Sequence, residues 1–218
     1  MYTVSHDLKS PLVTSMGFIS IVKKLAGQGK YQEAIERLDK VVLANERMSH
    51  LISDLLELSR VGRTETEKTR LDLNELLEDF CNQNCERIKS RGFELSLQGK
   101  FSVIHANRSR VLQVFENLIS NALKYGSNPT DSRIEIGGQI TPTDHLVYVK
   151  DYGPGIAADY HEKIFGLFYR LVNSREGTGI GLAITKKIMK YYGGDIWVES
   201  SPGAGATFWL KFPGTGVD

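Results

Sequence analysis

The chain has 218 residues, with 27 Lys and Arg against 26 Asp and Glu, a formal net charge of +1, 41% hydrophobic and 24% charged residues, 21 Gly, 6 Pro and 2 Cys. At roughly 100–200 residues per domain this is one large domain or two small ones, and near-neutral charge supplies no electrostatic footprint for a polyanion, which sets nucleic acid aside as a partner. Apolar and charged fractions near globular averages exclude a disordered tail or a collagen-like repeat, no apolar run approaches the ~20 residues that span a bilayer, and Met1 opens no signal-peptide pattern, so the chain reads as soluble and cytoplasmic.

The first 62 residues hold one Pro, at position 11, and four Gly, and their apolar residues recur at helical spacing. Leu8, Leu12, Ile19, Val22 and Ala26 step down one face, and after Gly27-Gln28-Gly29-Lys30 the series Ala34, Leu38, Val41, Asn45, Met48, Ile52, Leu55 alternates steps of four and three. That pattern predicts an antiparallel helical hairpin with a coiled-coil-like seam. Ile35, Val42, Leu51 and Leu58 widen the stripe of the second helix beyond what one partner helix covers. The surplus predicts a homodimer through these N-terminal helices, two hairpins making a four-helix bundle; the alternative is that the stripe packs on the rest of the same chain.

Polar, charged Gly62–Arg70 marks a helix end and a linker, which places the boundaries at 1–64, 65–70 and 71–218. Beyond it the pattern predicts a helix at 74–90, strands at 93–97 and 102–106, a helix at 109–125, strands at 133–140 and 145–151, a loop-rich stretch, a helix from Gly181 to a stop at Gly193-Gly194, and strands at 196–200 and 206–212. Hairpin-like strand pairs mixed with three helices argue for an α+β chain, its second unit a two-layer sandwich on a mostly antiparallel sheet. Cys81 and Cys85 lie four apart on the first of these helices, with no further Cys or His nearby for zinc, and read as structural or bystander thiols.

Four clusters carry chemistry. Ser5-His6-Asp7-Leu8-Lys9-Ser10-Pro11-Leu12 puts His6 off the face marked by Leu8 and Leu12, where it is either a plain surface residue or a nucleophile near pH 7 with Asp7 to orient it or take its proton. Ser10 shares the His6 face, and Pro11 would bend the helix. On the 109–125 helix Asn117, Asn121 and Lys124 fall at i, i+4 and i+7, one polar stripe; an amide oxygen suits Mg²⁺ and a Lys one turn on suits its phosphate, while the bland reading is a solvated face. Asp151-Tyr152-Gly153-Pro154-Gly155-Ile156 follows an apolar strand. Gly153 and Gly155 let a ligand approach the backbone, and the Asp151 carboxylate can accept from an exocyclic amine such as adenine's, unless this is only a strand-ending turn. Gly177-Thr178-Gly179-Ile180-Gly181-Leu182 opens a helix, where free N–H groups favour phosphate, but it has neither dinucleotide-fold nor P-loop spacing and fits a lid hinge.

In order, these segments resemble the boxes of two-component sensor histidine kinases over nearly the whole chain. SHDLKSPL is similar to the H box, ENLISNALKYG to the N box, DYGPGI to the first glycine box, FGLFYR (Phe165–Arg170) to the F box, GTGIGL to the second glycine box and Gly203–Phe208 to the third. The resemblance implies a dimerisation and histidine-phosphotransfer hairpin followed by a GHKL-type ATP-binding domain. It implies that His6 attacks the γ-phosphate of ATP with Asp7 as candidate base, that Asn121 binds Mg²⁺ beside Asn117, and that Lys124 and Tyr125 lie along the phosphates and ribose. Asp151 would accept from adenine with help from Thr207, Arg170 would offset charge on the γ-phosphate, and Gly177, Gly179, Gly181 and Leu182 would form the phosphate-facing lid hinge. The phosphoryl group would then pass to an Asp of a response-regulator receiver domain. Asp7 stands where many members carry Glu, and Ser10 where many carry a Thr or Asn that orients water for dephosphorylating the partner. Six residues between Arg170 and Gly177 make a short lid, and five before His6 read as a catalytic core whose upstream sensor lies outside this chain. Two other readings are an ATPase of the gyrase or chaperone kind, against which the H-box hairpin argues, and a degenerate kinase serving as a dimeric scaffold.

Overall fold

The structure is a computed structural model; it describes residues 2–63, 67–127, 131–141, 144–171 and 177–213, with only the backbone of residues 2–8. Helix α1 (Tyr2–Gly27) runs unbroken past Pro11, and α2 (Tyr31–Arg60) returns beside it. The turn between them closes with Gly29 in the left-handed region (φ 74°) and with Lys30 N–H donating to Leu25 O at 3.0 Å. Among the described residues no helix is long and apolar enough to cross a membrane.

The hairpin forms as expected, on part of the expected stripe: Val22, Ala34, Val41, Met48 and Leu55 are withdrawn from solvent as read, the other described members are not. In α1 the residues withdrawn from solvent are Pro11, Ser15, Phe18, Val22 and Leu25, while Leu12, Ile19 and Ala26 are exposed. In α2 they are Ala34, Val41, Ala44, Met48, Leu51 and Leu55, while Leu38, Asn45 and Ile52 face solvent. The most withdrawn positions of the hairpin include the small residues Ser15, Ala34 and Ala44, while the larger Leu12, Leu38 and Ile52 beside them are exposed. Leu12 is exposed in the single chain, and the side chains of His6 and Asp7 lie outside the described residues.

Beyond the hairpin, β1 (Thr69–Asp72) pairs antiparallel with β3 (Val103–Ala106) as a two-stranded ribbon. It begins within the stretch read as linker, whose polar residues fit a strand that is mostly exposed. Asp72 then caps α3 (Leu73–Lys89), its carboxylate accepting from Asn74 N–H at 2.8 Å. The main sheet joins β2 (Glu94–Gln98), β4 (Arg133–Ile140), β5 (Asp144–Asp151), β7 (Ala206–Pro213) and β6 (Asp195–Ser200) in the order β2-β4-β5-β7-β6. Only β2 and β4 run parallel; the crossover that such a pair needs is β3 followed by α4 (Arg108–Tyr125). The remaining helix, α5 (Gly181–Tyr191), follows the loop-rich stretch.

Side chains alternate across the sheet. Ile134, Ile136, Val147, Val149, Phe208, Leu210 and Phe212 join residues of α3, α4 and α5 in one core. On the other face Tyr148, Trp209 and Trp197 form a row, with the two indoles nearly parallel at 6.1 Å. This is the two-layer sandwich that the strand and helix order predicts.

Helix α2 also packs on this second unit. Leu51 and Val61 belong to its core, Glu57 pairs with Arg110 at 2.7 Å, and Lys187 Nζ donates to Leu58 O at 2.6 Å. The hydrogen bond from Arg110 is the main reason that the Glu57 carboxyl is held below its usual range. Part of the surplus apolar stripe is thus spent within the chain. Cys81 and Cys85 are free thiols, and burial pushes Cys81 up to about 11, which suits an unreactive packing residue.

Candidate functional site

Asn107 starts α4 by accepting from Ser109 and Arg110 N–H at 3.1 and 3.3 Å. With that start Val111, Val114, Phe115, Leu118, Ile119 and Ala122 are buried, and the adjoining stripe Asn117, Ser120, Asn121 and Lys124 walls a cavity of about 740 Å³. That is the size of a pocket for a small ligand, typically ~300–1,000 Å³. Asn117 Nδ2 donates to Gly181 O at 3.2 Å and to Thr185 Oγ1 at 3.3 Å, which fastens α4 to the first turn of α5.

The opposite wall is the end of β5. Asp151 is 8% exposed, accepts from Gly153 N–H at 3.0 Å and lines the cavity. Burial raises its pKa, opposed by the N–H groups of Gly153 and Ala206. A buried carboxylate with two backbone donors, facing a cavity, is suited to accept a further hydrogen bond from a ligand. Its position depends on a close backbone crossing: a Cβ at Gly153 would sit 2.6 Å from Gly126 Cα and 2.7 Å from Tyr125 O. Gly153 therefore brings the end of β5 against the end of α4 and does not itself line the cavity.

The third wall is the loop before α5. Gly177 and Gly179 have φ of 93° and 73°, values that L side chains rarely adopt. Arg170 Nη1 donates to Gly177 O at 3.1 Å, and a Cβ built at Gly177 would lie 3.8 Å from Lys124 Nζ and 3.6 Å from the Tyr125 hydroxyl. The end of α4 and the stretch from Arg170 to the glycine loop thus bring Lys124 and Arg170 together at one end of the cavity. Ile156, Ile164 and Phe208 form an apolar lining.

Of the residues singled out from the sequence, Asn117, Asn121, Lys124, Tyr125, Asp151, Gly155, Arg170, Gly177, Gly179, Gly181 and Leu182 line this one cavity. Thr207 pairs with Lys150 and Glu199 in the sheet beside it, outside the lining. Ser10 is exposed on α1, its carbonyl accepting from Thr14 Oγ1 at 2.9 Å. Sequence reasoning missed His50 and Asp54, which enter the lining from α2, and Thr178. Thr178 stood inside a recognised motif; nothing in the pattern around His50 or Asp54 set them apart from an ordinary polar face.

No group of three His, Cys, Asp or Glu among the described residues is placed to hold a metal by protein groups alone. Asn121 offers a hard amide oxygen inside the cavity, which fits a Mg²⁺ ion that arrives with phosphates and keeps most of its ligands from them and from water.

The sandwich thus holds its cavity between a polar helix stripe, a strand-end carboxylate and a glycine loop. The family described as "Histidine kinase-, DNA gyrase B-, and HSP90-like ATPase" matches residues 106–216. The hairpin separates the branches of that family: residues 1–64 match the "His Kinase A (phospho-acceptor) domain", and the chain belongs to the two-component sensor histidine kinases, as a catalytic core. It is 36% identical over 217 residues to the methanogenesis regulatory histidine kinase FilI of Methanothrix harundinacea, covering 98% of this chain and 24% of that protein. The solved structure of the histidine kinase AdeS of Acinetobacter baumannii has the same fold, with a TM-score of 0.72 at 23% identity over 97% of this chain and 98% of that one. A structure of the histidine kinase ThkA in complex with the response regulator TrrA matches with a TM-score of 0.71 at 26% identity, over 98% of this chain and 60% of that one. The chain spans about a quarter to a half of the length of the curated relatives it matches.

Proposed function

We propose that this chain phosphorylates itself on His6 from ATP and passes the phosphoryl group to an aspartate of a response-regulator receiver domain. The observation that carries it is the single cavity uniting Asn117, Asn121, Lys124, Asp151, Arg170 and the glycine loop, in a chain whose α1 bears His6 in a phospho-acceptor hairpin. Asp151 would read adenine through its amine. Lys124, Arg170 and the N–H groups of Gly177, Gly179 and Gly181 would hold the phosphates, and Asn121 would bind a Mg²⁺ ion whose charge offsets theirs. A neutral His6 nitrogen forms the N–P bond as the bond from the γ-phosphorus to the bridging oxygen breaks; ADP leaves, and the imidazole proton goes to Asp7. The buried Asp151 wall gives the scaffold alternative no support.

The division 1–64, 65–70 and 71–218 belongs to this reading, as does a homodimer through the exposed stripe Leu12, Met16, Ile19, Leu38 and Ile52. The reading also places the core in the cytoplasm, where ATP is supplied, and signal input in a domain outside these residues, as the relatives' greater length supports. Labelled ATP tests it: incorporated phosphate should be acid-labile and alkali-stable, and lost in His6→Gln. Robust ATP turnover unchanged by that substitution would sink it.

A further inference from the structure

Among the described residues the hairpin makes a polar contact at the nucleotide cavity that the reaction above does not use. Asp54 lies on α2 one turn after His50, and both line the cavity. Thr178 Oγ1 donates to Asp54 Oδ2 at 2.5 Å and accepts from Ile180 N–H at 3.4 Å, just before the first residue of α5. Thr178 stands between Gly177 and Gly179, which have positive φ and no side chain to anchor the backbone. Its anchor comes from the hairpin, 124 residues earlier in the chain.

The contact belongs to a docked face. One turn beyond Asp54, Glu57 pairs with Arg110 at the start of α4, and Leu58 O accepts from Lys187 on α5. Positions 50, 54, 57 and 58 share one side of a helix at successive turns.

Height along the hairpin gives the contact its meaning. His6 lies 21 residues before the end of α1 at Gly27, and Asp54 lies 23 residues after the start of α2 at Tyr31. At about 1.5 Å per residue their backbones stand about 31 and 34 Å from the turn, within one residue or two of the same level. A bond from Asp54 to the glycine loop therefore fixes that loop at the height of His6.

We infer that Asp54 is a positioning residue for autophosphorylation: by accepting from Thr178 it holds the phosphate-facing loop of the nucleotide site level with His6. The inference rests on the kinase reading. What the role needs is an acceptor, not a charge. A carboxylate beside nucleotide phosphates repels them, and the amide oxygen of Asn accepts from a hydroxyl equally well.

The test follows phospho-His6 formation against ATP concentration in the full chain, with equilibrium binding of a non-hydrolysable ATP analogue alongside. Asp54→Ala should lower the maximal rate about tenfold or more, leaving the KM for ATP and the analogue affinity within about threefold, because the bond joins two units and does not bind nucleotide. Asp54→Asn should recover the rate to within about threefold of the parent. Thr178→Val should match Asp54→Ala, and the double variant should be no worse than either by more than about twofold. A loss confined to KM, an Asn variant as slow as the Ala variant, or losses that multiply in the double variant would each overturn the role. Absence of acid-labile phosphate in the parent protein would instead defeat the kinase reading, and retained analogue binding distinguishes both from misfolding.

Discussion

The hairpin and the sandwich solve the problem of burying apolar surface in opposite ways. In the sandwich, Leu73, Phe115, Ile119, Ile134, Ile136 and Leu210 are all fully buried within one chain. In the hairpin, Leu12, Val13, Met16, Leu38, Val42, Ile52 and Leu56 stay exposed, at 45–66%. Burying one such side chain stabilises by about 1.5–3 kcal/mol, so several of them on each protomer are ample for association. The sandwich buries its apolar residues within one chain; the hairpin leaves a row of them exposed. The contrast teaches that the cavity is walled within one chain, whereas the helix that bears His6 keeps an apolar face which the proposed dimer would cover.

The sharpest way to separate the two regions is His6→Gln, which should reduce phosphate incorporation to background while nucleotide binding to the sandwich stays within about twofold, read by labelled transfer and equilibrium binding. Next in size, Leu38→Lys with Ile52→Lys should weaken dimerisation by about a hundredfold or more, measured by sedimentation, because charges would be buried in a four-helix seam. The same double variant should bind nucleotide as the parent does; a stable dimer would break the comparison. In the sandwich, Asp151→Asn should weaken ATP binding about 10–100-fold by titration calorimetry, the cost of replacing a charged acceptor by a neutral one that also presents a donor.

The smallest effect is a pH signature that again divides the regions. Asp151 has its pKa raised by burial, so its ionisation costs stability as pH rises through that raised value, and acidification relieves the cost. Glu57, at the junction with the hairpin, has its pKa lowered chiefly by Arg110, so its contribution is present above the usual carboxylate range and is lost as pH falls through the lowered value. Thermal melts of the nucleotide-free protein should show Asp151→Asn more stable than the parent at neutral pH, with the gap closing on acidification. Glu57→Gln should be less stable than the parent at neutral pH, and its gap should close at lower pH than that of Asp151→Asn.

Local signals were strong where chemistry is carried by contiguous motifs. Asn117, Asn121 and Lys124 fall on one helix stripe by spacing alone, and the turn at Gly153 and the glycines of 177–181 announce themselves because few other residues take those conformations. Asp54 and His50 were illegible. Their cavity role depends on how α2 docks against α4 and α5, through Glu57 with Arg110 and Lys187 with Leu58, and such pairs leave no period in the sequence. The strand at Thr69–Asp72 was missed for the same reason, since its partner lies some 30 residues away and supplies the ordering that four polar and apolar residues lack.

Helical period, helix and strand order, and the residues of the motifs were thus written in the sequence, because each depends on neighbours within a turn or two. The choice of which apolar residues are buried was not. A 3.5-residue repeat says that a face is buried and not by what, and only packing decided that Ser15 and Ala44 are withdrawn from solvent, that Leu51 joins the sandwich core, and that Leu12 and Ile52 stay exposed in the single chain.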